Sequence, residues 1–342
     1  MGSDHSARSN TVLKGIDVSI FVNKRFLGQK SEISAFARLQ YGGRNSKSRS
    51  GAALMLALWA LFMLSAMVIS WASDIQSRLS LSSNANRVLS AEAMACSGAD
   101  IALHPGISPS SPNLHRQTGS EGYEARIAGE GGRLNLNWLT AGEDPARLDI
   151  LRRYLELEGV DLNERGAMID ALLDWVEPNT GLHRLNAPAE TDDYRPPHAL
   201  LGSLDELKEI RGWEKFTSRP GWEDDFTINS TGPIDLAWAS RDVLRALPGV
   251  RDDLVDRFLQ LRQGPDGIDG TADDFPFNNL ADVQTALGFT AEQFQQIAAL
   301  VIFKDPVFRI TSVGKSGNVR RSVQMLVRKA GNIPQLISWK EI

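Results

Sequence analysis

Two acidic stretches carry the strongest chemical signal in the sequence. From Gly264 to Asp274, the carboxylates of Asp266, Asp269, Asp273 and Asp274 alternate with Gly264, Gly267 and Gly270. A hard cation such as Ca²⁺ takes about six to eight oxygens from a flexible loop, and Asp interleaved with Gly supplies carboxylates and reachable carbonyls. No Glu closes a twelve-residue loop, so the spacing is not that of an EF-hand. The second stretch, Glu177 to Pro197, is rich in Pro, Asn and acids. With the end of the preceding helix it offers Asp174, Glu177, Glu190, Asp192 and Asp193. A loop of that length inside a compact domain is usually functional or ligand-ordered. For both stretches the competing reading is a solvated acidic turn.

Other chemistry finds less support. Asp170 and Asp174 stand one helical turn apart, as a catalytic pair would, but Asp170 falls on the polar face. The five histidines show no metal-ligand spacing, and no Ser-His-Asp or Cys-His arrangement can be assembled. Gly314-Lys315-Ser316 resembles the tail of a P-loop, yet Arg309 stands where the first glycine is required. The run Gly129-Glu130-Gly131-Gly132 is not a dinucleotide fingerprint. Leu247-Pro248-Gly249-Val250 followed by Leu254 to Arg262 looks like a helix-hairpin-helix. DNA-binding versions place a second glycine where this chain has Arg251, followed by Asp252 and Asp253. The expectation is a structural hairpin and a protein that is not an enzyme.

The elements that must position these loops follow from charge and period. The 342 residues are 42% apolar and 23% charged, with a net charge of −5, as expected of about two globular domains. A single cysteine excludes an intramolecular disulfide. Residues 1–50 hold nine Lys/Arg against three Asp/Glu, so the rest of the chain is acidic and a poor partner for nucleic acid. Between the two lies Gly51 to Ser73, without a charged residue. As a helix it spans about 34 Å, enough to cross a hydrocarbon core of about 30 Å. A buried core helix of this length would carry a polar face. A signal peptide has a shorter apolar core of about 7–15 residues. By the positive-inside rule the basic run Arg44 to Arg49 is expected to keep the N-terminal end in the cytoplasm; everything after Ser73 is then expected outside the inner membrane, which in a bacterium is the periplasm.

Apolar spacing continues through Ile75, Leu79, Val88, Ala93, Cys96 and Ala99 with no proline before Pro105, predicting one long helix from about Ala52 to Leu103. Alternation at Tyr123–Ile127 predicts a strand, and Arg133–Leu139 a second strand or extended run. Helices follow at 144–157, at 163–176 with Asn163 as a possible cap, at 204–210, 240–247, 252–261, 278–287 and 290–303. After Pro306 the period changes to two, giving strands at 307–313, 320–327 and 335–339. The fold class is α+β. A long N-terminal transmembrane helix packs on an antiparallel sheet, with a large α-helical domain (helix-hairpin-helix or SAM-like) inserted. The divisions are a basic leader at 1–51, a membrane part at 52–73, helix and first strands at 74–139, the insert at 140–305 and the last strands at 306–342.

A short basic stretch ending in Gly, then an uncharged helix that becomes amphipathic, resembles the type IV pilin-like proteins. In that family a prepilin peptidase cuts after the Gly, here between Gly51 and Ala52, and the new N-terminus is methylated. The family usually carries Glu at the fifth mature position, where this chain has Leu56. That absence is a habit of the protein K branch (GspK) of the type II secretion system. The runs Gly132–Asn137, Ile169–Val176, Glu190–Pro197 and Ser203–Leu207 fall in the order seen in that branch, as does the three-strand ending. The resemblance implies a minor pseudopilin at the tip of a periplasmic pseudopilus, initiating assembly with other minor pseudopilins and supporting protein export. It also implies Ca²⁺ in the helical domain. The rival reading is a membrane-anchored, competence-type DNA receptor that uses the hairpin.

Overall fold

The computed structural model describes residues 49–179, 184–331 and 333–342; most of the leader lies outside them. The long helix α1 (Arg49–Leu103) starts three residues before the expected Ala52 and ends where it was expected to. The chain divides into two units, up to Ser70 and from Trp71 onward. In the first, the described residues are helical and every large apolar side chain is exposed, Leu56 at 72% and Phe62 at 65%. An unsatisfied water-facing surface of this kind is what a membrane-spanning segment presents when it is taken out of lipid. By length and composition it is long and apolar enough to cross a membrane.

In the second unit, the last turns of α1 bury Ala91, Ala95, Ala99 and Ala102 completely. Their three- and four-residue spacing makes one face of small side chains, which lies on a five-stranded sheet. The strands are β1 (His115–Thr118), β2 (Glu121–Gly129), and, far along the chain, β7 (Val307–Ser316), β8 (Val319–Arg328) and β9 (Gln335–Glu341). Their order is β1-β2-β7-β8-β9, antiparallel throughout. Alternate residues Ala125, Ile127, Ile310, Val323, Met325 and Val327 face the alanines as a small core. Pro105 stops α1, and Lys329 Nζ donates to the Ala102 carbonyl at 2.8 Å, satisfying one of the helix's last acceptors. Burial pushes that ammonium below its usual pKa.

Between β2 and β7 lies the helical insert, with its own larger core. It contains β3 (Leu134–Asn135), α2 (Leu136–Thr140), α3 (Pro145–Leu157), α4 (Leu162–Val176), α5 (Glu214–Thr217), β4 (Phe226–Thr227), β5 (Ile234–Asp235), α6 (Arg241–Arg245), α7 (Asp252–Arg262), α8 (Leu280–Ala286), α9 (Ala291–Ile297) and β6 (Val301–Ile302). Three expectations change here. Residues 133–139 are mostly helix, because the Asn135 side chain accepts from Trp138 N and caps α2. Asn163 is not the cap of α4; Asp161 is, accepting from Asn163 N at 2.9 Å. The run 290–303 also ends early, since Val301–Ile302 pairs with β5 in parallel. A cluster of edge-on rings, Tyr154, Trp213, Phe216 and Phe226, fills the insert's centre, and Trp213 Nε1 donates to the Met168 carbonyl.

Buried ionic groups fasten the insert to the sheet. Glu130 has no solvent exposure, and its carboxylate accepts a two-pronged bond from Arg309 of β7 at 2.8 and 2.9 Å. It also accepts from the Thr227 hydroxyl at 2.6 Å. Beside it, Asp235 accepts from the backbone N–H of Lys304 and Asp305, and Asp305 accepts from Thr231 and from Val307 N. Burial holds Asp235 above the ordinary carboxylate range against these bonds.

Candidate functional site

The loop after α7 brings three of its four aspartates together. Oxygens of Asp266, Asp273 and Asp274 all lie within 4.8 Å of one another. The loop is shaped by its own side chains. Asp266 Oδ1 accepts from Ile268 N at 2.8 Å, and Asp274 Oδ2 accepts from Gly270 N at 2.7 Å. The Thr271 hydroxyl lies 2.7 Å from Asp273 Oδ1 and 3.1 Å from Asp274 Oδ1. That hydroxyl holds the Asp273 carboxyl below its usual pKa. Gly264, at φ +62°, lets the Asp273 carbonyl pass so close that a Cβ would stand 2.5 Å from it.

Asp269 is turned elsewhere. Both of its oxygens take the guanidinium of Arg262, at 2.7 and 2.9 Å, and Gln263 adds a third bond. Arg262 is itself buried and donates to the Leu236 and Ala239 carbonyls. Asp269 therefore pins the loop to α7. Among the described residues no Lys or Arg pairs with Asp266, Asp273 or Asp274. Three uncompensated carboxylates with an all-oxygen donor set fit a hard divalent cation better than a thiolate- or imidazole-loving one. The sequence could not separate Asp269 from the other three, because its partner is set by the fold.

In the second acidic stretch, residues 180–183 lie outside the described residues, and among the described residues no three of the five candidates bring carboxylate oxygens within 4.8 Å of one another. Asp174 is buried and accepts from Arg184 N at 3.4 Å. Glu177 accepts from Asn179 N. Glu190 Oε1 meets His198 Nε2 at 3.2 Å, while His198 Nδ1 meets the Glu177 carbonyl at 3.0 Å. Asp192 pairs with Arg195, and Asp193 is exposed. His198, which no sequence pattern singled out, stitches the two ends of the loop. Asp170 accepts from Asn186 at 2.7 Å.

The hairpin between α6 and α7 has its cations neutralised. Arg241 pairs with Asp256, Arg245 with Asp242 and Asp252, and Arg251 with Asp253. Little positive charge is left there to meet a phosphate. Gly314-Lys315-Ser316 lies inside β7, so its amides serve the sheet. Gly51, Ala52 and Leu56 sit on the first turns of α1, exposed.

The family model of type II secretion system protein K matches residues 132–220, the first half of the insert. The chain resembles that family over these residues, about a quarter of its length. Its fold is also similar to a chain in the crystal structure of the GspK-GspI-GspJ complex from enterotoxigenic Escherichia coli. The TM-score is 0.52 and the identity 11%, covering 78% of this chain and 99% of that one. At that identity the likeness is one of fold: a long N-terminal helix on an antiparallel sheet with a helical insertion. No curated protein sequence matches the chain.

The donor set leads to a measurable expectation. A cation bound only by the folded loop raises stability by RT ln(1 + [L]/Kd), about 2.7 kcal/mol at 100-fold Kd. Thermal melts of the detergent-solubilised chain should rise with Ca²⁺ over chelator. Asp273→Asn should blunt that rise. Equal melting temperatures would count against both acidic loops as metal sites.

Proposed function

We propose that this chain is the tip subunit of a type II secretion pseudopilus: a non-catalytic minor pseudopilin that initiates assembly and supports export of folded proteins. It would be cut between Gly51 and Ala52 by prepilin peptidase and methylated on Ala52. Its single helix would anchor it in the inner membrane with the N-terminus cytoplasmic and the rest periplasmic. Its partners would be other minor pseudopilins, as for the E. coli protein solved with GspI and GspJ. Ca²⁺ held by the Asp266–Asp274 loop would serve a structural role.

The observation that carries this reading is Leu56 on an exposed, apolar helical face. A Glu at that position would neutralise the N-terminal amine of the subunit above it. Both charges lie in a greasy environment, where an unpaired charge costs several kcal/mol. A subunit with Leu there cannot serve a neighbour above, and is disfavoured everywhere except the first position. Its own Ala52 amine can still be met by the Glu of the next subunit beneath. The inserted helical domain points the same way, since such bulk repeated along a packed filament would clash.

The test is to count labelled copies of this chain on overproduced pseudopili. One copy at the distal end is expected, and Leu56→Glu should move some label onto the shaft. Labelling of the unmodified chain along the shaft, or none on the filament, would refute the tip assignment.

A further inference from the structure

The face of the sheet turned away from α1 differs in charge from the rest of the protein. Along β2, Tyr123 points at α1, against Gly98, so Glu124 and Arg126 point outward. The register aligns His115 and Val313 with Glu124, Thr311 with Arg126, and Arg320 with Lys315. These side chains line one concavity of about 530 Å³. Lys340 of β9 joins the same face, opposite Gln324, which is itself opposite Thr311.

The charge there is largely uncompensated. Glu124 is spent on Arg126, at 3.0 Å. Lys315, Arg320 and Lys340 have no carboxylate partner among the described residues. Around the hairpin, by contrast, the arginines are paired one by one. A cationic dish on an otherwise acidic body is an unusual use of charge. Extended polyanions would meet the surrounding negative field; a compact acidic patch that fits within the dish would not.

We propose that the outer face of the five-stranded sheet, centred on Lys315 and Arg320, docks a carboxylate-rich patch of a neighbouring minor pseudopilin. This rests on the pseudopilin reading above. The charges would speed and orient the encounter, and set its salt dependence.

The test uses the full chain in detergent and the purified minor pseudopilins of the same secretion system that correspond to GspI and GspJ. The double variant Lys315→Glu, Arg320→Glu should bind them about tenfold or more weakly at low salt, with the gap narrowing at high salt as the charges are screened. The variant Lys315→Arg, Arg320→Lys should bind like the unmodified chain. Both residues lie on the surface, and an unchanged melting temperature would show that the fold is intact. Equal binding and equal salt dependence in the charge-reversed variant would overturn this proposal and leave the pseudopilin reading standing. No binding by the unmodified chain would overturn both. Displacement of the partners by phosphatidylglycerol added to the micelles, lost in the charge-reversed variant, would make the dish a lipid-headgroup site and also overturn the proposal.

Discussion

Gly314→Ala is expected to detach the end of α1 from the sheet. A Cβ at that position would lie 1.9 Å from the Ala91 carbonyl oxygen and 2.2 Å from the Ala95 amide nitrogen. Both are backbone atoms of a helix, so no rotamer change can make room. Overpacking of a tight core typically costs ~1–3 kcal/mol, and a clash with helix backbone belongs at or beyond the upper end. The measurement is a thermal or denaturant melt of the solubilised chain. Gly166→Ala is the control. Gly166 sits within α4 with nothing within 4 Å of its would-be Cβ. Its replacement should stabilise by about 0.5–1 kcal/mol through helix propensity. A Gly314→Ala variant as stable as this control would show that the alanine face does not hold the sheet at the distance described.

The second large effect is expected from Arg309→Leu. Removing the guanidinium strands the carboxylate of Glu130, which has no solvent exposure, leaving it one hydrogen bond, from the Thr227 hydroxyl, and the more distant charge of Arg133. Breaking a buried pair from one side costs about 3–5 kcal/mol, because the remaining charge has lost its partner but not its desolvation. Adding Glu130→Gln should recover much of the loss at neutral pH. If the double variant is no better than Arg309→Leu alone, the cost lies in packing of the arginine rather than in the stranded charge.

The long helix and the three closing strands were legible in the sequence, because each is a long run with one period; the insert was expected to begin at residue 140, but the chain leaves the five-stranded sheet after Gly129. Strand β1 was not. His115, Arg116, Gln117 and Thr118 are all exposed, so they carry no apolar alternation, and only the pairing with β2 makes them a strand. The Arg133–Leu139 run was misread because Leu134, Leu136 and Leu139 fit two periods. The Asn135 cap decides between them. At the candidate metal loop the composition announced four carboxylates, but local sequence could not tell that Asp269 belongs to Arg262. Nor could it show Lys315 and Arg320 on one face with Arg126, because that depends on strand register across the whole insertion. The dispersal of Glu190 and Asp192 to His198 and Arg195 was hidden for the same reason.

The insertion leaves and re-enters the sheet at one place: Gly129, the last residue of β2, is the register partner of Phe308 in β7. For folding, this makes the sheet's central pairing its most distant contact along the chain. Closing so long a loop from an open chain carries a conformational-entropy cost that grows with loop length, and it slows any route that begins there. A pre-folded insert removes most of that cost by delivering the two strands side by side. The β7–β8 hairpin needs no such help. The order of events should therefore run from the insert and the C-terminal hairpin to the β2–β7 seam last. That seam is also the place where a defect in the insert would first be felt by the sheet.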